Sequence, residues 1–326
     1  MRQRRSKRLE NFRPLHPTNL TMSEPRKRTM ALKPVRARRL RENMWVVVAD
    51  GSEPLVVGES IAHALQSQDN FSFTPESLAS TLSDAGFMFD GSTEVLPPPA
   101  PPLSMGWKLS RAALWTIGAI LCIDTIALLA RDGVPTGSDI VSAGPHPLLV
   151  IGIALAMAIA TAIPHELAHV GFGRRIGNTR KAVQVHLLQA AATTDLTHVW
   201  TWPLSPRLSA VAAGVVVDLA FLTMALTWHS SSDSWVATIA VGVMIIRILW
   251  QFRFHRNCDG RHFAKMLVDL PTIDDDSREI LKVRSWKSMP RMAWLWLLLL
   301  TVGVLVEIAL LIVWLIPAVL RLFGLL

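Results

Sequence analysis

Residues 148–172 read LLVIGIALAMAIATAIPHELAHVGF, an apolar stretch without a formal charge before Glu166. The stretch is long enough to cross a lipid bilayer as a helix. Its last part spells H-E-x-x-H from His165 to His169, and on a helix the i, i+4 spacing puts both imidazoles on one face. Ionisable side chains within an apolar segment of this length are costly and usually functional. The stretch therefore predicts a membrane helix with a functional site near its end.

The H-E-x-x-H pattern is typical of zinc hydrolases, in which two histidines bind Zn²⁺ and the glutamate acts as general base. The alternative is a pair of core histidines that are satisfied by backbone carbonyls. A catalytic zinc site uses three protein ligands, so His165 and His169 need a third. The candidates are Asp124, Asp195, Asp218, His255, Cys258, Asp259, His262 and Glu307.

Composition points to a polytopic membrane protein that is mainly α-helical, since 51% of the 326 residues are hydrophobic and only 18% are charged. Two cysteines are too few for a disulfide framework or a cysteine-based zinc site. About five transmembrane helices are predicted, over Arg111–Ala130, Leu148–Phe172, Leu208–Trp228, Trp235–Phe252 and Met292–Ile316.

The distribution of Lys and Arg predicts the orientation of these helices, because cytoplasmic loops carry an excess of basic residues. Basic residues precede the first helix, follow the second and fourth, and precede the fifth, whereas the loops 131–147 and 229–234 are poor in them. We therefore expect a multi-pass protein of the cell membrane with a cytoplasmic N-terminus, an outer C-terminus and His165 toward the cytoplasmic face.

Topology favours Asp259 as the third ligand. It follows the fourth predicted helix at the end where His165 and His169 are expected, and the next residue, Gly260, allows the chain to turn back. Asp124 and Glu307 lie within other predicted helices, where we expect them to pair with a polar partner such as Arg247.

Four regions are predicted along the chain. Residues 1–43 carry 14 Lys/Arg and three Asp/Glu and are expected to be a disordered tail near anionic lipid, without nucleic-acid binding. Residues 44–92 suggest a small cytoplasmic α/β module, with strands at 44–48 and 54–57, helices at 59–68 and 75–84 and a third strand at 87–91. A winged-helix-like fold fits this order, and its role is open between a packing cap and peptide docking by strand addition. A proline-rich linker, 93–107, then leads to the membrane domain, 108–326.

Three motifs carry a family resemblance. They are H-E-x-x-H followed by Arg174 and Gly177, then Ala213-Gly214, then Asp259-Gly260. In order and spacing, these motifs over residues 148–271 resemble the core segments of site-2-type (M50) intramembrane metalloproteases. The sequence departs from that family where Arg253-Phe254 replaces an Asn-Pro, Val215 replaces a Pro, and Arg261-His262 replaces an aromatic pair.

A narrower resemblance is to the peptide-maturation branch of these proteases, whose members are encoded with ribosomally made peptides such as daptides. It rests on Thr194-Asp195, Arg207 and Leu270-Pro271. The resemblance implies Zn²⁺ on His165, His169 and Asp259, with Glu166 as the catalytic base. It also implies a leader-bearing precursor peptide as substrate and a leader-recognition role for residues 44–92. Residues 178–205 are expected to offer an edge strand to that peptide.

Three further polar residues have open roles. Asp195 is predicted either to orient a ligand histidine or to cap a turn, and Asp218 to face the cavity within an apolar helix. His262 is either an oxyanion-stabilising group or a surface histidine. Two other functions compete with precursor maturation: regulated intramembrane cleavage of a membrane-anchored signalling protein, and a non-enzymatic role as a transporter or immunity protein.

Overall fold

The computed structural model describes residues 32–41, 43–67, 76–89, 96–174, 183–186, 191–275, 277–278 and 291–325. Most of this part of the chain is helical. The helices are α1 Glu59–Ser67, α2 Glu76–Asp84, α3 Met105–Asp132, α4 Gly137–Ala143, α5 Pro147–Phe172, α6 Leu204–Ser231, α7 Trp235–Trp250, α8 Asp259–Val268 and α9 Arg291–Leu322, which is π-helical over Leu311–Leu315. A short 3-10 helix spans Thr197–Thr201.

Four helices, α3, α5, α6 and α9, are long and apolar enough to cross a membrane. The other predicted membrane helix is α7, which is apolar but has 16 residues. Helix α6 is the centre of the bundle and contacts α3, α5, α7 and α8. Small side chains allow this close packing, since Ala210, Ala213 and Gly214 are buried on α6.

The N-terminal part contains a three-stranded antiparallel sheet in the order β1 Val35–Arg41, β2 Met44–Ala49 and β3 Leu55–Gly58. The prediction of a disordered tail over 1–43 is wrong for residues 35–41, which form an edge strand; residues 1–31 lie outside the described part. The predicted third strand at 87–91 is also wrong for residues 87–89, where Met88 makes an isolated bridge to Leu32; residues 90 and 91 lie outside the described part. The basic residues of β1 hid its strand character, since Val35 and Ala37 alternate with arginines.

Strand β2 joins the two parts of the molecule because its alternating side chains enter two different cores. Val47 and Ala49 pack in the core of the N-terminal sheet and helices. Val46 and Val48 pack against the start of α6 and the 3-10 helix before it. The N-terminal module is therefore packed directly on the helical bundle.

The proline-rich segment is bound along its length by side chains from both parts. The carbonyl of Pro97 accepts a hydrogen bond from Arg36 of β1, and the carbonyl of Pro98 accepts one from the indole of Trp202. Arg174, just beyond α5, donates to the carbonyl of Ala100. Because prolines lack a backbone N–H, they offer only their carbonyls for such contacts.

Candidate metal centre

Two histidines of α5 and one aspartate of α8 bring a donor atom each to one point. The Nε2 atoms of His165 and His169 lie 3.1 Å apart, and Oδ2 of Asp259 lies 3.0 Å from the first and 3.2 Å from the second. Both histidines are 2% exposed. Helix α5 provides the i, i+4 pair, and the start of α8 closes the triangle.

The hydrogen bonds on the far side of each ring define which nitrogen carries the proton. Nδ1 of His169 lies 2.9 Å from the carbonyl oxygen of Ala210, which can only accept, so this nitrogen is the donor. Nδ1 of His165 lies 2.9 Å from Oδ2 of Asp218 and donates to that carboxylate. In neutral rings both Nε2 atoms then present lone pairs toward each other and toward Asp259. Three electron-rich atoms at this separation repel one another unless a proton or a metal cation lies between them, so the arrangement can accept a metal ion.

The spacing of the three atoms fits a single first-row metal ion. Tetrahedral zinc with bonds of about 2.0–2.1 Å to nitrogen and oxygen separates its ligand atoms by roughly 3.3 Å. The three observed separations are 3.0–3.2 Å. Two imidazoles and one carboxylate are a donor set found in zinc hydrolases, where a fourth position is left for water. His165, His169 and Asp259 therefore fit the group that the motif predicts.

Gly214 of α6 faces the same donor atoms. A Cβ added at this position would lie 2.6 Å from Nε2 of His165 and would also collide with Nε2 of His169. No side chain fits there without moving the histidines. The close approach of α6 also brings the carbonyl of Ala210 to His169, so the glycine and the small residues before it determine where the rings lie.

Asp259 reaches the histidines because the chain folds back between α7 and α8. The backbone N–H of Asp259 donates to the side-chain oxygen of Gln251, just after α7, at 3.2 Å. A Cβ on Gly260 would collide with the carbonyl of Gln251. The Asp-Gly pair thus combines a candidate ligand with the one residue type that fits beside the carbonyl of Gln251.

Glu166 is buried beside the triad, and its carboxylate is oriented by a threonine of the β-hairpin that follows α5. The hairpin consists of β4 Val183–His186 and β5 Ala191–Thr194, paired antiparallel. The hydroxyl of Thr194 donates to Oε2 of Glu166 at 2.6 Å. The last residue of the hairpin and the candidate base are therefore in direct contact.

Asp218 is completely buried and links His165 to a cation on α7. Its second oxygen accepts a hydrogen bond from Nε of Arg247 at 2.7 Å. The expectation that Arg247 pairs with Asp124 or Glu307 is wrong, because Glu307 instead contacts Arg256 at 3.0 Å and the ring of His255. Arg247 balances the charge of Asp218, and Asp218 holds the ring of His165, as carboxylates do for the histidines of many metal sites.

The remaining candidates lie outside the triad. Asp195 accepts hydrogen bonds from the backbone and hydroxyl of Thr197, at 2.9 and 2.6 Å, and so closes a turn just before the 3-10 helix. Its alternative role, orienting a ligand histidine, falls to Asp218 and Ala210. His262 lies one turn after Asp259 with its side chain exposed, so its oxyanion role stays a prediction. Cys258 points its thiol at the carbonyl of Gln251.

Helix α8 is fixed on its polar side by Asp274, which lies beyond its C-terminal end. Arg261 and Lys265 contact this carboxylate at 2.6 and 2.8 Å, and the indole of Trp296 donates to it at 3.1 Å. Burial alone would raise the pKa of Asp274, but Lys265 and Arg261 outweigh it and hold the pKa below its ordinary value. The carboxylate is therefore ionised at neutral pH and ties α8 to α9.

Comparison of the chain with protein-family models, with curated proteins and with solved structures gave no match. The resemblance to intramembrane metalloproteases thus rests on the sequence motifs alone.

Sequence reasoning missed three contacts at the site. A backbone carbonyl, such as that of Ala210, leaves no mark in a sequence. Thr194 belonged to a quoted motif, but nothing in the motif linked it to Glu166. Arg247 was expected to pair with Asp124 or Glu307. The one signal that could have assigned it to Asp218 is that each is the single formal charge of its predicted helix and that the two helices are consecutive.

Proposed function

We propose that the protein is a zinc-dependent intramembrane endopeptidase that cleaves a leader-bearing precursor peptide near the cytoplasmic face of the membrane. The observation that carries the proposal is the convergence of His165, His169 and Asp259 on one point beside the buried carboxylate of Glu166. The four apolar helices support a place in a membrane. The distribution of basic residues supports a cytoplasmic orientation of the active site.

A divalent ion held by the triad would supply Lewis-acid activation of water and of the scissile carbonyl. Glu166 takes a proton from the attacking water and passes it to the leaving amine, so that one peptide bond and one water become a carboxylate and an amine. Thr194 holds the Glu166 carboxylate in a fixed rotamer. Asp218 and the Ala210 carbonyl hold the proton of each neutral ring on Nδ1, so that the Nε2 lone pairs face the metal position.

The β4–β5 hairpin suggests how an extended substrate is positioned. A peptide must lose helical hydrogen bonds before its carbonyls can be attacked, and an exposed strand edge offers replacement partners. Because β5 ends at Thr194, which contacts Glu166, a peptide paired with the hairpin is directed toward the base. Proline substitutions through 183–186 should reduce cleavage by removing backbone donors. Unchanged cleavage of every substrate would count against this part of the proposal.

Two other functions remain as competing proposals. Regulated cleavage of a membrane-anchored signalling protein would use the same residues on a transmembrane substrate. A transporter or immunity protein would use the buried ionic groups Asp218 and Arg247 without hydrolysis. Zinc also has a competitor, because two histidines and one carboxylate bind non-haem iron(II) in other proteins.

The test measures metal content and peptide cleavage with the same detergent-purified protein. Elemental mass spectrometry quantifies zinc and iron in wild type and in His165→Ala, His169→Ala and Asp259→Ala. Cleavage is followed on a synthetic library of extended peptides, with Glu166→Gln as the inactive variant. We expect near-stoichiometric zinc that is lost in the three ligand variants and kept in Glu166→Gln, which does not cleave.

Each competing function gives a different result. A well-folded wild type without metal would end the peptidase proposal and favour transport or immunity. Iron in place of zinc would change the cofactor and call for an oxygenase assay. Cleavage only of peptides joined to a transmembrane helix would favour the signalling role.

A further inference from the structure

The N-terminal module packs on the two elements that hold the metal-ligand triad in place. Val46 and Val48 of β2 belong to a buried cluster that also contains Ala210 of α6 and Met266 of α8. Ala210 is the residue whose carbonyl binds His169, and α8 begins with Asp259. The module thus contacts the supports of two of the three candidate ligands.

An ionic junction centred on Asp269 reinforces this packing. Asp269 follows α8 in the left-handed conformation, and both of its carboxylate oxygens accept from the guanidinium of Arg38 in β1, at 2.6 and 3.2 Å. Arg207 of α6, which is 1% exposed, donates to the same carboxylate at 2.7 Å. A bidentate arginine–carboxylate pair of this kind fixes both the direction and the separation of the two side chains.

The two arginines also bind backbone carbonyls on either side of the junction. Nε of Arg38 donates to the carbonyl of Trp200 in the 3-10 helix at 2.9 Å. Arg207 donates to the carbonyl of Met266, in the last turn of α8, at 2.7 Å. Arg207 lies one helical turn before Ala210. Four elements, β1, the 3-10 helix, α6 and α8, therefore meet at one carboxylate.

We propose that Arg38 is a positioning residue for the metal centre. It acts through Asp269, which holds α8, and thereby holds the Asp259 carboxylate against the two histidines. The N-terminal module therefore helps to maintain the metal centre, in addition to any role in recognising the leader of a precursor peptide. The inference rests on the proposed metallopeptidase function for its activity readout, whereas metal affinity and the dynamics of α8 are measured independently of catalysis.

The experiment uses the full-length protein with Arg38→Met, which keeps much of the side-chain volume and removes the charge and the hydrogen bonds. Zinc affinity is measured by competition with a coloured chelator, and hydrogen exchange is measured over the amides of 259–268. We expect zinc affinity to fall by about 10- to 100-fold, as for other residues that orient metal ligands. Exchange in α8 should become faster, and kcat should fall with little change in KM.

Two matched variants separate positioning from general loss of structure. Arg39→Met removes the same charge from the next, exposed position of β1 and should leave zinc affinity and α8 exchange unchanged. Arg38→Lys keeps the positive charge but loses the bidentate contact with Asp269, so its zinc affinity should lie between those of Arg38→Met and wild type.

The result that overturns the inference is a folded Arg38→Met protein with wild-type zinc affinity and wild-type exchange in α8. If wild type binds no zinc, the proposed function fails, and exchange in α8 alone decides whether Arg38 holds that helix. If Arg38→Met does not fold, the same measurements are made on Arg38→Lys and Asp269→Asn. Equal behaviour of these variants and wild type would also overturn the inference.

Discussion

Asp and His side chains gather at two places along α6, and only one of the two groups brings its donor atoms together as a metal site would. The triad and Asp218 lie near the first half of the helix. At the other end, about 23 Å beyond Gly214 at 1.5 Å per residue, Asp132, His229 and Asp233 line a polar cavity of about 480 Å³. Asp132 and Asp233 are exposed, whereas His165 and His169 are buried.

The difference lies in what each donor atom contacts. Asp132 is satisfied by Arg131 at 2.8 Å and by the hydroxyl of Ser230. In the triad, Nδ1 of each ring is bound elsewhere, and both Nε2 atoms converge with a carboxylate oxygen of Asp259. Composition is therefore a poor guide to a metal centre, and the direction of the lone pairs is a good one. This comparison can be tested with paired variants from the two ends.

The largest difference is expected for the candidate base. Glu166→Gln should lower peptide cleavage by about 10²–10⁴-fold, because an amide cannot accept a proton from water. Its zinc content should remain that of wild type. Asp132→Asn, at the other end, should leave the cleavage rate unchanged. Progress curves for the two variants on one library peptide provide the measurement, and equal rates would remove Glu166 from the mechanism.

Removal of a ligand should have the next largest effect. Asp259→Ala should weaken zinc binding by more than about a hundredfold, since losing a ligand costs more than losing a residue that orients one. His229→Ala is the matched histidine control and should bind zinc like wild type. A chelator titration checks both variants. Equal loss of zinc in the two would mean that the metal binds at neither group specifically.

Asp218→Asn should reduce zinc affinity by about 10- to 100-fold, because the amide orients the His165 ring less firmly and leaves Arg247 without its counter-ion. Asp233→Asn is the control for loss of one carboxylate near α6. The same titration serves, accompanied by a thermal melt of each apoprotein. A wild-type affinity in Asp218→Asn would show that His165 needs no orienting partner.

The smallest effect concerns the carboxylate at the junction with the module. Burial would raise the pKa of Asp269, but the guanidinium groups of Arg38 and Arg207 outweigh it and hold the pKa below its ordinary value. The resulting stability is present above the unfolded-state pKa of about 4 and is lost as pH falls through the folded-state pKa. Melting temperatures between pH 6 and pH 3 should therefore fall less in Asp269→Asn than in wild type. Asp275→Asn, at an exposed position, should follow the wild-type curve.

Local patterns in the sequence predicted the helices well. The apolar runs located α3, α5, α6 and α9, and the i, i+4 histidines with Asp259-Gly260 identified the atoms that the structure brings together. Their role as metal ligands stays a prediction. Strand β1 was missed because its arginines suggested a solvated tail, whereas Arg38 is partly buried against Asp269. Long-range pairing of this kind depends on the packing of distant elements, and neither periodicity nor charge density contains it.

Gly214 has a consequence for recognising relatives of this protein. A single methyl group at that position would occupy the space toward which the histidine nitrogens point. Natural variation at 214 should therefore be under the same selection as variation at the ligands themselves. Divergent chains with an H-E-x-x-H helix should therefore fall into two groups. Those with a glycine at the corresponding position of the neighbouring helix should retain the metal site, and those without it should have the motif but no functional site.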